Sequence, residues 1–241
     1  MRKHLGEDYD IRPITRRPAE FPSRVADIAD LDGLLPHFEG VDAIVHLAAA
    51  ATVESPWEDV LKSNLIGAYN VLEASRRAGV ELVVFASSNH VVGMYEVEHA
   101  PALYALDGRA CWDEHADVRP DSLYGASKVF GEALGRYYVD VHGLRVICLR
   151  IGSVLADDDP RSERVKAGPG WMHLDPDDAL ARLRASWLSQ RDCAQLVRRC
   201  LEATEVRWAV VYGISDNPRQ FWALDGARRI LDFAPVDRAP T

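Results

Sequence analysis

Leu82-Val83-Val84-Phe85-Ala86-Ser87, running on into Ser88-Asn89-His90-Val91-Val92-Gly93, decides the fold class. A nearly continuous apolar run of strand length fits a strand covered on both faces, as in parallel sheets. Ala43-Ile44-Val45-His46-Leu47-Ala48 has the same character upstream, and Arg145-Val146-Ile147-Cys148-Leu149-Arg150-Ile151 and Ala209-Val210-Val211-Tyr212-Gly213-Ile214 repeat it downstream. Ile11 to Thr15 is a shorter candidate. Between these runs, 57–78 and 122–142 have the apolar spacing of long helices, with Gly79 and Gly143 where helix C-terminal glycines belong. Strands alternating with helices predict repeated βα units, hence an α/β fold with a doubly wound parallel sheet. Two stretches break the rhythm: 95–120 reads as polar and irregular, and 157–178 holds three prolines and two glycines among many charges. Each follows the carboxyl end of a strand, the side on which open α/β sheets bind ligands.

A chain of 241 residues can bury a full core and is most simply one domain with a small appended lobe. The net charge of −9 argues against nucleic acid or an acidic membrane as partner. Met1-Arg2-Lys3-His4 is followed by no apolar run, so no signal peptide is expected. The longest apolar stretch, 41–53, is interrupted by Asp42 and His46 and is too short to span a bilayer. Cys111, Cys148, Cys193 and Cys200 show no paired spacing, and Cys148 sits in a strand pattern as a buried thiol would. A reducing cytoplasm is the expected compartment, and no metal site is expected.

The chemistry concentrates in Leu123-Tyr124-Gly125-Ala126-Ser127-Lys128. A tyrosine and a lysine four apart share one helix face. An ammonium beside a phenol favours the phenolate, so the pair can take a proton from an alcohol while a nicotinamide takes the hydride. Alone, that spacing is met by chance in many helices. Ser87, Ser88, Asn89 and His90 at the end of a buried strand strengthen it, because polar groups there are costly unless they bond something. Ser88 is placed to orient the substrate hydroxyl. His46 by itself reads as a satisfied core histidine.

These residues together resemble the extended short-chain dehydrogenase/reductase family, which includes sugar epimerases and dehydratases. The resemblance implies a Rossmann-like core over 1–152 and a substrate lobe over 153–241 that returns one strand to the sheet. It makes Ser88, Tyr124 and Lys128 the catalytic group. His46-Leu47-Ala48-Ala49 looks like the family's cofactor-lining turn, Asp27-Ile28 like its adenine contact, and Asn64-Leu65-Ile66-Gly67 like its helix with an active-site asparagine. Ser87 and Ile151 would also lie along the cofactor, Lys128 would hold the nicotinamide ribose, and Tyr124 would touch both ligands.

Two subgroups are nearer. Ser87-Ser88-Asn89-His90 with Arg182 and Ser186-Trp187-Leu188-Ser189 is similar to the uronate dehydrogenases, which oxidise the C1 hydroxyl of a sugar acid to a lactone. There Arg182 would clamp the carboxylate, a task suited to a guanidinium fork. Thr52, Asn89, His90 and Ser153 would hold sugar hydroxyls. Yet 187–193 and 212–217 also look like archaeal NAD-dependent glucose-6-phosphate dehydrogenases. As solvated helix charges, Arg182 and Arg184 would have no such role.

Two departures qualify the resemblance. The family's glycine-rich pyrophosphate turn follows a first strand, and this sequence, beginning near a helix end at 1–6, shows neither, roughly two dozen residues by analogy. A start assigned too late is the expected reason; genuine loss would leave a non-catalytic binding module. The second-strand region, Ile14-Thr15-Arg16-Arg17-Pro18, carries no carboxylate for the ribose, and Arg16 could face a 2′-phosphate. NAD and NADP both stay open, as does an epimerase or dehydratase sharing the same centre. The 57–78 and 122–142 helices could form a two-fold dimer face or pack within the chain.

Overall fold

The structure is a computed structural model describing residues 1–106, 110–162 and 174–241. It opens with α1 (Arg2–Leu5), β1 (Ile14–Thr15), β2 (Arg24–Val25), α2 (Leu31–Phe38) and β3 (Ala43–His46). α3 (Trp57–Asp59) continues through a π-helical stretch, Val60–Ile66, into α4 (Gly67–Ala78). Then follow β4 (Leu82–Ser88), a 3-10 turn over Asn89–Val92, α5 (Met94–His99), α6 (Leu123–His142) and β5 (Arg145–Ile151). α7 (Pro176–Ser186), α8 (Gln190–Glu202), β6 (Trp208–Gly213) and α9 (Asp225–Leu231) complete the described chain.

β3, β4, β5 and β6 lie side by side in that order, all parallel, and β1 and β2 form a separate parallel pair. The strand period of two sends alternate side chains to opposite faces. Val83, Phe85, Val146 and Cys148 join Ala68 and Leu72 of α4 and Tyr138 and Val139 of α6. Leu82, Val84, Ile147 and Leu149 join Leu196 and Val197 of α8 and Ala227 and Leu231 of α9. The sheet is therefore doubly wound, with both faces covered, which is why its strands are apolar throughout.

Local signals set the long elements. Ser122 accepts from the Gly125 amide at 3.0 Å and caps α6, so the helix begins at Leu123, one residue later than the spacing predicts. Gly79 and Gly143 both end their helices at φ 75°, the left-handed conformation expected of them. Elsewhere the expectations need correction. The 11–15 strand shrinks to two residues, because Pro13 lies inside it and cannot donate to a ladder. The 43–48 run leaves the sheet after His46, its last buried residue; Leu47 and Ala48 are exposed. The irregular stretch 95–120 contains most of α5 and a 3-10 turn over Ala102–Tyr104. Half of the second irregular stretch, 163–173, lies outside the described residues.

Candidate active site at the carboxyl end of the sheet

The site is assembled where β4 ends and α6 begins. Leaving the sheet at Ser88, the backbone turns into the 3-10 segment, whose first turn the Ser88 hydroxyl caps by accepting from the His90 amide at 3.3 Å. α6 comes down close against this turn. A Cβ on Gly125 would stand 2.4 Å from the His90 carbonyl oxygen, so the third residue of Leu-Tyr-Gly-Ala-Ser-Lys has to be glycine for the helix to approach. That approach places Tyr124 beside the turn. Its ring meets the His90 imidazole edge-on with centroids 5.9 Å apart, and the Ser88 hydroxyl acts to lower its phenol.

Lys128 follows one turn later, almost fully buried. Its ammonium donates to the Ala86 carbonyl at 2.7 Å and lies 5.6 Å from the centre of the Tyr124 ring. Burial pushes the Lys128 ammonium down to about 8. Burial, helped by the Asp121 carboxylate, raises the Tyr124 phenol, and Ser88 only partly opposes it. The influences resolved on the phenol are burial, Ser88 and Asp121, and the Lys128 ammonium lies 5.6 Å from the ring centre. His46, wholly buried at the end of β3, is pushed down to about 3 by burial and the neighbouring Lys128 charge; it is a neutral ring packed on Phe85.

Asn64 sits in the π-helical stretch, and its amide ties three segments together. It accepts from the Ala50 amide at 2.7 Å, donates to the Ala50 carbonyl at 3.0 Å and donates to Ser127 Oγ at 2.9 Å. The wide π turn is what swings this residue inward. Asn64 thus fixes the 47–52 segment that leaves β3. On that segment Leu47 is half exposed, and Thr52 pairs with Ser55 at 2.9 Å on the surface. The last register pair of β3 and β4, His46 with Phe85, lies one residue short of Ala86, which holds Lys128. Asp27 and Ile28 reach the same region from the β2 side: Asp27 bonds Lys62 at 2.8 Å and Ile28 accepts from Asn70 at 2.9 Å. Arg16 is exposed beyond β1.

Of the remaining sequence candidates, His90 bonds Asp121 at 2.7 Å, and Asn89 is buried beside Ser88. Ser87 donates to Glu132, and its register partner Arg150 grips the same carboxylate. Ile151 pairs with Ser88 across the sheet. Ser153 bonds Ser186 at 2.9 Å. Arg182 is no solvated helix charge: its Nε and Nη2 hold Glu96 at 2.7 and 3.2 Å, and the Tyr104 hydroxyl donates to the same carboxylate at 2.9 Å.

Sequence reasoning missed Glu96, Asp121 and Glu132. Glu132 left a signal: it is a carboxylate four residues beyond Lys128 on the inward face of α6. Glu96 and Asp121 left none, because their partners come from distant segments.

Lys128 carries three donors and spends one on Ala86. A buried ammonium with donors to spare, held at the carboxyl end of β4, fits ribose hydroxyls.

The profile of the NAD dependent epimerase/dehydratase family matches residues 1–168. The chain belongs to this family. Its epimerase/dehydratase-type core is matched nearly end to end by L-arabinose 1-dehydrogenase (NAD(P)(+)) of Haloferax volcanii, 40% identical and covering 98% of this chain and 91% of that protein. NAD-dependent glucose-6-phosphate dehydrogenase of the same organism is 36% identical, over 98% of this chain and 87% of that one. Among solved structures, a variant of uronate dehydrogenase from Agrobacterium tumefaciens complexed with NAD superposes with a TM-score of 0.78 at 30% identity, covering 99% of this chain and 80% of that chain. Among the described residues no helix is long and apolar enough to cross a membrane, and no group of ligands is placed to hold a metal ion.

Proposed function

We propose that this chain is an NAD(P)-dependent dehydrogenase that oxidises the C1 hydroxyl of a sugar or sugar acid to a lactone. The observation that carries the reading is the meeting of Ser88, Tyr124 and Lys128 at one end of a parallel sheet, in a family whose matched relatives are named as sugar dehydrogenases.

A nicotinamide dinucleotide, when bound, supplies the acceptor for the hydride that leaves C1. Lys128, Asn64 with the 47–50 turn, and Asp27 with Ile28 are the residues that would hold it. Arg16 would meet a 2′-phosphate if NADP is taken. Tyr124 receives the C1 hydroxyl proton at its phenolate oxygen. Ser88, whose hydroxyl acts on the Tyr124 phenol, orients that hydroxyl. Lys128 contributes positive charge near the phenolate and keeps the proton acceptor in place. Asn89, His90, Thr52 and Ser153 are the groups that would bind the remaining sugar hydroxyls. The part of the chain from 153 onward acts as the substrate lobe, α7 bringing Arg182 to its edge. Four free cysteines support a reducing, cytoplasmic setting. Exposed Leu61, Tyr69, Phe130 and Tyr137 on the 57–78 and 122–142 helices support pairing with a second copy.

The test is formation of reduced dinucleotide from NAD and from NADP with a panel of aldoses, uronates and sugar phosphates. Turnover with at least one C1-hydroxy sugar is expected, and a panel without any turnover would overturn the reading.

A further inference from the structure

An anionic sugar needs a cation whose charge is not already compensated. Lys128 is bonded to Ala86, and Arg182 on α7 feels the Asp121 carboxylate, which is bonded to His90 beside Tyr124. Arg182 is not open to a second anion. Its Nε–Nη2 edge, the edge a carboxylate would take in a two-point grip, is closed on Glu96. Glu96 is completely buried, 0% exposed, and receives a third hydrogen bond from Tyr104, which packs in the same core. Burial and the Glu96 charge together raise the Tyr104 phenol, so that hydroxyl stays a donor. The bond between residues 86 positions apart fastens α5 to α7 and leaves the pair electrically neutral.

We infer that Glu96 is a specificity-determining residue, and that by neutralising Arg182 it selects a neutral aldose over a uronate or a sugar phosphate. A substrate carboxylate arriving here would find the Arg182 charge already compensated and the Asp121 carboxylate as a like charge. Neutral hydroxyls carry no such penalty. The inference rests on the sugar dehydrogenase reading and narrows it to one substrate class.

Steady-state kinetics with a neutral pentose, a neutral hexose, glucuronate and glucose 6-phosphate test it on the wild-type chain and on Glu96→Gln. The wild type is expected to show kcat/KM for a neutral sugar at least about tenfold above either anionic sugar. Glu96→Gln, which frees the Arg182 charge while keeping the shape, is expected to shrink that ratio at least about fivefold, mainly through a lower KM for glucuronate. A merely structural role for Glu96 would lower all four activities together and leave the ratio unmoved. A wild-type preference for glucuronate or the phosphate overturns the inference while the dehydrogenase reading stands; no turnover with any sugar overturns both. Should Glu96→Gln fail to fold, the wild-type ratio decides by itself.

Discussion

Glu132 holds Arg150 with both carboxylate oxygens, at 3.0 and 2.9 Å, two helical turns along α6 from Tyr124. Both side chains are under 10% exposed, and Ser87 and Tyr212 complete the network. The pair locks the catalytic helix onto β4 and β5. Removing one member leaves a buried charge without compensation, which costs about 3–5 kcal/mol. Glu132→Ala is therefore expected to lose stability on that scale in urea denaturation. The double variant Glu132→Met with Arg150→Met, which buries no charge, is expected to recover at least half of the loss.

Tyr124→Phe removes the hydroxyl and keeps the ring against His90. Turnover is expected to fall by about 10³-fold or more, in line with loss of acid–base catalysis. The unfolding free energy is expected to stay within about 1 kcal/mol of wild type, since at most one hydrogen bond is lost. Single-turnover rates and a melting curve on the same sample check both. Near wild-type turnover would sink the catalytic assignment.

Lys128 makes the site costly to fold. Its ammonium titrates at about 8 when folded and near its ordinary 10.5 when unfolded. Below pH 8 both states carry the charge and the fold bears the burial penalty, about 3 kcal/mol by linkage. Between pH 8 and 10.5 the unfolded state binds more protons, so stability from this residue rises with pH, and above 10.5 the penalty is gone. Lys128→Met is expected to be inactive yet more stable than wild type by about 1–3 kcal/mol at pH 7, after the lost bond to Ala86 is counted. That advantage is expected to vanish as the pH approaches 10.5. Paired denaturation curves at several pH values give the difference directly.

His46 works in the opposite pH range. Its folded value of about 3 lies below the unfolded 6.5, so under pH 6.5 the unfolded chain takes up a proton that the fold refuses. Stability contributed by the neutral ring is complete above pH 6.5 and falls at about 1.4 kcal/mol per pH unit below it. A His46→Leu variant is expected to show a shallower acid limb between pH 6 and 4 when its stability is measured beside the wild type.

Asn64→Ala deletes three hydrogen bonds at once and strands both backbone groups of Ala50. About 2–4 kcal/mol of stability is expected to go, with the 47–52 segment loosening first. Hydrogen exchange at Ala50 is expected to speed up, and the KM for the dinucleotide to rise more than kcat falls.

The elements that could be read from the sequence are those that carry their own signal. β5 runs from Arg145 to Ile151 as its apolar pattern predicts, and α6 stops at Gly143 because only a left-handed residue closes it there. Ser88, Tyr124 and Lys128 were legible because short-range spacing places them: one strand end and one helix face. What escaped depends on context. β2 is two exposed residues, Arg24 and Val25, held by β1 and lacking any alternation. α2 has Gly33 and Pro36 inside it, both against helix propensity, and Asp30 with the packing of Leu34 and Phe38 overrides them. The π turn at Asn64 has no sequence code at all. Glu96 reads as a surface acid until Arg182, far along the chain, reaches it.

The residues proposed to perform the chemistry and the residue proposed to filter the substrate come from different pieces of chain. Ser88, Tyr124 and Lys128 belong to the sheet and its covering helix, locked together by Asn64 and Glu132. Glu96 belongs to the excursion between β4 and α6, and Arg182 to α7, beyond β5. A lineage could therefore lengthen, shorten or recharge the excursion and acquire a new diet without disturbing the proton-transfer machinery. Exchange of this one segment among relatives would transplant appetite while leaving the engine in place.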